Sequence, residues 1–294
     1  MKKRLTRFLP FLLAFTIALP SYSVFAEEEN QAKETQTNET NETQADETTA
    51  NDTLSLAAET AVLIDAASGE ILYDKDADKK MYPASITKLM TILLALENGK
   101  LTDEITFSHD AVYNIEPGSA HIAILEGETL TLEQVLRAII LRSANEASNG
   151  VAEYVDGSVE AFAKHMTERA KELGCTNTNF VNANGLFDEN HYTTAHDMAL
   201  IARELLKHEE YRSMMSETDY EIPPTNLQTE TRYLHGQHQM LNPNSIYYYK
   251  DAIGGKTGYT VEAGNTLVTY AERDGLTLIA VVMKCNGAEH YTDT

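Results

Sequence analysis

The chain contains no tryptophan, two cysteines and few basic residues. Its 45 acidic side chains outnumber its 23 lysines and arginines, so the formal net charge is -22 at pH 7. This acidic surplus argues against a protein that binds nucleic acid, or an anionic bilayer, through its charge. Cys175 and Cys285 allow at most one disulfide, and their spacing does not show whether they pair. A chain of this length can build its core without that bond.

The start of the chain has the pattern of an export signal. Four basic residues precede an apolar run over residues 8–20, which is too short for a comfortable membrane span. Val24, Phe25 and Ala26 then give the small-residue pattern of a cleavage site. We therefore predict a signal peptide at 1–26 and an exported protein that works at the extracellular face of the cell envelope. Residues 27–54 are acidic and nearly free of large apolar groups, so we predict a disordered linker there.

The ordered part begins and ends with strand patterns and is helical between them. Short alternating or β-branched runs predict strands at 60–65, 70–73, 255–260, 265–271 and 276–283. Apolar stripes at helical spacing predict helices at 130–141, 146–154, 159–173 and 194–206. This order predicts an α+β fold, in which both ends of the chain share one antiparallel sheet covered by helices. The large helical insertion, at about 101–240, would leave a cleft between the two parts.

The most apolar predicted helix lies within residues 81–99. Ser85 stands at its start, and Lys88 follows three positions later on the same face. Burial would lower the pKa of the lysine, so that an uncharged Lys88 could take the proton of Ser85. The pair would then be an activated nucleophile. The alternative is a capping serine and a lysine that reaches the solvent.

Two further short motifs lie at the edges of the expected cleft. Ser143-Ala144-Asn145 follows a predicted helix, and Lys256-Thr257-Gly258 opens a predicted strand. Each tripeptide is a weak signal alone, because such residues are common in turns and hairpins. The order S-x-x-K, S-x-N, K-T-G, with each motif at a structural junction, is far more specific.

With these three motifs the chain resembles the low-molecular-weight penicillin-binding proteins that act as serine D-alanyl-D-alanine carboxypeptidases, within the penicillin-binding protein and β-lactamase superfamily. Segments 180–192, 197–203 and 255–260 are also similar to that family. The resemblance implies a β-lactamase/transpeptidase-like catalytic domain at 55–294. It further implies removal of the terminal D-alanine from peptidoglycan stem pentapeptides, covalent inhibition by β-lactam antibiotics, and no cofactor or metal.

The resemblance assigns the covalent chemistry to the first two motifs. Ser85 would attack the carbonyl of the penultimate D-alanine and form an acyl-enzyme, with Lys88 as its proton acceptor. Ser143 would relay a proton to the leaving D-alanine. Asn145 would hold the substrate amide and brace Lys88.

The third motif would bind the end of the substrate. Lys256 and Thr257 would hold the terminal carboxylate with an ammonium and a hydroxyl group. Gly258 would let the substrate backbone approach the strand closely. The backbone N–H groups of Ser85 and Tyr259 would form the oxyanion hole.

Three related activities compete with this interpretation. A class A-like β-lactamase needs an E-x-x-L-N glutamate to position water, and no such pattern occurs between Ser143 and Lys256. A D,D-endopeptidase stays open, because the same site could accept a longer leaving group. A catalytically inert cell-wall binding module would usually have lost a motif residue, whereas all seven motif residues are present here.

Unrelated chemistries have weaker support. A metallopeptidase would need clustered ligands, and the sequence offers His191 with His196 and Asp197, or His235 with His238, but no H-E-x-x-H. Gly255-Lys256-Thr257 matches the end of a phosphate-binding P-loop. That motif requires a glycine where this chain has Lys250, so the nucleotide interpretation fails.

The end of the chain departs from the resembled family. Its members continue past the equivalent of residues 290–293 into a helix that covers the sheet, and many add a β-rich domain and an amphipathic anchor. We therefore expect a C-terminal truncation. A membrane anchor would then lie only in the missing region.

Overall fold

The structure is a computed structural model, and it describes residues 54–294. The predicted signal peptide at 1–26 and nearly all of the predicted linker at 27–54 lie outside the described residues. Both stay predictions.

One antiparallel sheet is built from the two ends of the described chain, with strand order β2-β1-β9-β8-β7. Ala61 pairs with Val282, and Val268 pairs with Val281. This confirms that the first and last segments share a sheet. The strands in chain order are β1 (Thr60–Asp65), β2 (Ile71–Lys75), β3 (Glu104–Thr106), β4 (Thr129–Thr131), β5 (Asp219–Ile222), β6 (Arg232–His235), β7 (Ala252–Thr260), β8 (Gly264–Arg273) and β9 (Leu276–Cys285).

Helices cover the sheet and form the rest of the core. The sixth helix packs on β1 and β9 and also against the first helix. The helices are α1 (Lys88–Asn98), α2 (His109–Tyr113), α3 (Leu132–Arg142), α4 (Asn145–Asp156), α5 (Val159–Glu172), α6 (Ala195–Leu205), α7 (Glu209–Met214) and α8 (Glu289–Thr292). Short 3₁₀ turns lie at Ala84–Thr87 and Gln239–Leu241. Among the helices that the structure describes, none has the length and apolar character to span a bilayer.

The predicted helical insertion is more mixed than its periodicity indicates. Within residues 101–240 the structure contains two antiparallel ribbons, β3 with β4 and β5 with β6. These strands have three or four residues each, too few for an alternation to stand out from the helical stripes around them. The boundaries of the insertion stay a prediction.

The start of the most apolar helix also differs from the prediction. Ser85 lies in the 3₁₀ turn, and the α-helix begins three residues later at Lys88. Ala84, just before the serine, has a left-handed φ of 50°. A 3₁₀ turn has three residues per turn, so it places residues i and i+3 directly above one another. The turn therefore brings Ser85 closer to Lys88 than an α-helix would.

Cys175 and Cys285 are both buried and free. Burial raises the pKa of both thiols, that of Cys285 to about 12. The two cysteines therefore behave as small apolar core residues.

Candidate active site

Lys88 lies at the centre of a buried polar cluster. Its side chain is 0% exposed, and its Nζ lies 2.9 Å from Ser85 Oγ, 2.7 Å from Asn145 Oδ1 and 2.5 Å from the Asn184 carbonyl oxygen. Burial holds the pKa of Lys88 well below its usual value, and the charge of Lys256 lowers it further against the opposing effect of Glu146. Desolvation on this scale favours the uncharged amine.

The three oxygens around Lys88 match an uncharged amine. The Asn145 and Asn184 oxygens are carbonyl groups, which can only accept hydrogen bonds. They take both N–H bonds of a neutral amine, which leaves its lone pair directed at the Ser85 hydroxyl. The arrangement therefore suits proton transfer from Ser85 to Lys88.

Ser143 and Lys256 form a second buried pair. Ser143 ends α3 in the left-handed conformation, at φ 57°, and its Oγ lies 3.0 Å from Lys256 Nζ. The same ammonium group donates to the Thr257 carbonyl oxygen at 2.7 Å. Lys256 is 3% exposed, and burial lowers its pKa to about 7. A partly charged group in a cleft of this kind can still bind an anion strongly.

Gly258 brings β7 against the turn that carries Ser85. A Cβ atom at Gly258 would lie 2.8 Å from the Ser85 backbone nitrogen and would collide with Thr266 Oγ1. Thr266 in turn donates to the Pro83 carbonyl oxygen at 2.9 Å. The absence of a side chain at Gly258 is therefore required by the protein itself. Tyr259 follows with its side chain 63% exposed.

The segment 181–191 is a fourth part of the site that the sequence motifs did not identify. The Asn184 carbonyl accepts from Lys88, and the Ala183 carbonyl accepts from Thr91 at 2.6 Å. Gly185 has a φ of +84°, and a Cβ there would collide with the Ala84 carbonyl. The only signal for this segment in the sequence is its resemblance to the family. The contributing atoms belong mainly to the backbone, so side-chain identity gives no clue to their role.

The histidines considered as metal ligands have separate partners. His191 bonds to Thr87, His196 to Asp78, and Asp197 accepts from Thr178. His235 pairs with Asp219, and His238 lies 3.3 Å from Thr269 Oγ1. Over residues 54–294, no group of three or more histidine, cysteine or acidic side chains could hold a metal ion.

Known proteins with similar sequences share one description. The family of D-alanyl-D-alanine carboxypeptidases, peptidase family S11, matches residues 44–287. D-alanyl-D-alanine carboxypeptidase DacF of Bacillus subtilis is 38% identical over 235 residues, which cover 78% of this chain and 58% of that protein. DacC of Escherichia coli K12 is 34% identical over 240 residues, covering 78% of this chain and 57% of the relative. The chain thus spans a little over half the length of these curated relatives.

Solved structures have the same architecture. The Streptomyces K15 DD-transpeptidase superposes with a TM-score of 0.74 at 26% identity, over 81% of this chain and 94% of that one. The D-alanyl-D-alanine carboxypeptidase of Mycobacterium tuberculosis H37Rv gives a TM-score of 0.73, also at 26% identity, over 81% of this chain and 89% of that one. The predicted α+β fold of the β-lactamase/transpeptidase type is confirmed.

Proposed function

This chain belongs to the D-alanyl-D-alanine carboxypeptidase family, peptidase family S11, and we propose that it is a serine carboxypeptidase that removes the terminal D-alanine of peptidoglycan stem pentapeptides. The observation that carries the proposal is the buried Lys88 amine, which has two carbonyl acceptors and lies 2.9 Å from Ser85 Oγ. A buried lysine so arranged is a base for a serine nucleophile.

The first half of the reaction makes an acyl-enzyme. Ser85 Oγ attacks the carbonyl carbon of the penultimate D-alanine while its proton passes to Lys88 Nζ. The N–H groups of Ser85 and Tyr259 stabilise the negative charge on the carbonyl oxygen. When the C–N bond breaks, the Ser143 hydroxyl gives a proton to the departing amine. The proton that Lys88 took from Ser85 replaces it, so that Lys88 is uncharged again before water attacks.

The second half releases the shortened peptide. Water attacks the ester carbon, Lys88 accepts the water proton, and Ser85 recovers its hydroxyl as the ester bond breaks. The wall peptide would be met outside the cytoplasm, in agreement with the predicted export. β-Lactams would acylate Ser85 in the same way and remain attached.

Lys256, Thr257 and Asn145 would select the substrate. The Lys256 ammonium and the Thr257 hydroxyl bind the terminal carboxylate, which distinguishes a peptide end from an internal bond. Asn145, held by Lys88, presents its remaining amide group to the substrate backbone. Gly258 keeps β7 close enough to Ser85 for the oxyanion site to form.

The test is release of D-alanine from a pentapeptide that ends in D-Ala-D-Ala, with Ser85→Ala as the control. We expect steady release by the wild type and at least about a thousandfold less by the variant, because the nucleophile is lost. Mass spectrometry after benzylpenicillin treatment should show a stable adduct on Ser85 of the wild type alone.

Other results would identify the competing activities. Rapid turnover of a chromogenic cephalosporin would support a β-lactamase. Cleavage of cross-linked dimers in preference to pentapeptides would support a D,D-endopeptidase. Neither adduct nor D-alanine release from folded protein would leave a catalytically inert wall-binding module.

A further inference from the structure

His191 is a buried histidine with two well-defined partners. It is 2% exposed, its Nδ1 accepts from the Val181 backbone N–H at 3.1 Å, and its Nε2 lies 2.8 Å from Thr87 Oγ1. Because Nδ1 accepts a hydrogen bond, it carries no proton. The hydrogen of the neutral ring is therefore on Nε2, which donates to the Thr87 hydroxyl.

These two bonds join the two sides of the lysine site. Thr87 directly precedes Lys88, and Val181 lies three residues before Asn184, whose carbonyl accepts from Lys88. The contacts form a closed ring: Lys88 to Asn184, back along the chain to Val181, through the imidazole to Thr87, and on to Lys88. The imidazole therefore links the chain on both sides of the hydrogen bond between Lys88 and Asn184.

The immediate surroundings keep the imidazole uncharged. The Phe180 ring packs edge-on at 5.4 Å between centroids. Burial lowers the pKa of His191 to about 4, with Asp188 opposing this effect and Lys88 adding to it. A protonated ring would also direct a second N–H at the Val181 donor.

We propose that His191 is a positioning residue for the base: by joining Val181 to Thr87, it holds the Asn184 carbonyl against the Lys88 amine and so keeps the lone pair directed at Ser85. This proposal rests on the proposed function and adds a residue that does not touch the substrate.

Side chains that keep one of the two bonds provide the test. His191→Asn retains an acceptor near Nδ1 for Val181, and His191→Gln retains a donor near Nε2 for Thr87. We expect each to slow acylation by benzylpenicillin about tenfold, with little change in KM for the pentapeptide, since one hydrogen bond of positioning is lost. His196→Asn is the matched control, because His196 bonds to exposed Asp78 away from the lysine, and it should acylate at the wild-type rate.

Two further readouts separate positioning from a general loss of stability. Thr87→Val removes the same bond as His191→Asn, so the double variant should be little slower than either single variant. The acid limb of kcat/KM should move to higher pH in the His191 variants, because water that enters beside Lys88 raises its pKa. Loss of stability alone would reduce the amount of folded enzyme and leave the midpoint of that limb unchanged.

A direct titration of the Lys88 amine by NMR keeps this test independent of turnover. A shift of its midpoint in His191→Asn, but not in His196→Asn, supports positioning even if the wild type releases no D-alanine. The absence of D-alanine release by the wild type would contradict the proposed function but not the role of His191. The role given to His191 would be overturned if both His191 variants had the same acylation rate, the same pH midpoint and the same Lys88 titration as the wild type.

Discussion

Two lysines with opposite requirements occupy the same cleft. In the proposed reaction Lys88 is uncharged, so that it can accept a proton, whereas Lys256 is charged, so that it can bind a carboxylate. Both are buried, and the charge of Lys256 lowers the pKa of Lys88. A charged Lys256 therefore favours the uncharged form of Lys88. Binding of the proposed substrate would strengthen this difference between the two lysines, because a bound carboxylate raises the pKa of the lysine that holds it.

The pH dependence of the reaction should report on Lys256. Its pKa of about 7 lies far below the ordinary lysine value, so in the free enzyme its charge is lost as the pH rises through about 7. We expect kcat/KM for the pentapeptide to fall over that range, while kcat persists to higher pH because the bound carboxylate keeps Lys256 charged. Steady-state D-alanine release measured across the range checks this.

Lys256→Arg provides the control for that assignment. An arginine stays charged throughout, so the alkaline fall in kcat/KM should disappear even if the absolute rate is lower. An unchanged alkaline limb in this variant would assign the titration to another group.

At the scale of elements, the sequence predicted the helices and strands whose positions depend on hydrophobic periodicity and on capping residues. Thr131 and Gln134 have the spacing of a capping box, and one is present at the start of α3. The strands of the main sheet were predicted to within a few residues. The 3₁₀ turn at Ser85 was missed, because it depends on the strained backbone of Ala84, whose side chain gives no signal. The Asn184 carbonyl was missed because any residue could supply it.

Gly185 should be the most sensitive glycine of the site. Gly185→Ala places a Cβ against the Ala84 carbonyl at a φ of +84°. Gly157→Ala is matched, with a φ of +77° and nothing within 4 Å of the new Cβ. The control should cost about 1 kcal/mol of unfolding free energy from its left-handed backbone alone. Gly185→Ala should cost at least about 3 kcal/mol and slow penicillin acylation, since steric overlap is added to the backbone strain.

Urea unfolding and the acylation rate measure the two effects of Gly185→Ala separately. Equal unfolding free energies for Gly185→Ala and Gly157→Ala would show that the segment 181–191 can move away from the 3₁₀ turn that carries Ser85 at no cost. The description of that segment as a fixed part of the site would then be wrong.

At the scale of the whole molecule, the site exists because distant parts of the chain meet. The 3₁₀ turn that carries Ser85 follows the first hairpin, Ser143 joins α3 to α4, and Lys256 lies in β7 of the main sheet. The order of the strand and helix patterns predicted that the ends of the chain share a sheet, and the motifs were expected at the edges of the resulting cleft. The sequence patterns did not predict how the middle region is held together, because a buried ion pair between residues far apart in sequence joins its two ribbons.

That ion pair is Glu128 with Arg232. Glu128 is 0% exposed, and Arg232 donates to both of its oxygens, at 2.6 and 2.7 Å, while Thr225 donates at 2.7 Å. The carboxylate precedes β4 and the guanidinium begins β6, so the pair joins the two ribbons. Burial acts to raise the pKa of Glu128, but the hydrogen bonds from Arg232 and Thr225 leave it below the ordinary value. The pair therefore stabilises the fold above the unfolded pKa of Glu128, and this stabilisation is lost as the pH falls through the folded pKa.

Removal of the guanidinium should expose the cost of the buried charge. Arg232→Met is expected to lower the unfolding free energy at neutral pH by about 3 to 5 kcal/mol, because it leaves a buried carboxylate unpaired. Adding Glu128→Gln should recover part of that loss, since the neutral amide carries no charge to desolvate. Arg142→Met removes a half-buried arginine whose hydrogen bond to the His235 carbonyl is long, at 3.4 Å, and it should change the value by less than about 0.5 kcal/mol. Urea unfolding measures these free energies. If Arg232→Met and Arg142→Met had the same small cost, the two ribbons would be held by their apolar contacts alone. The acid sensitivity assigned to Glu128 would then have to come from other carboxylates.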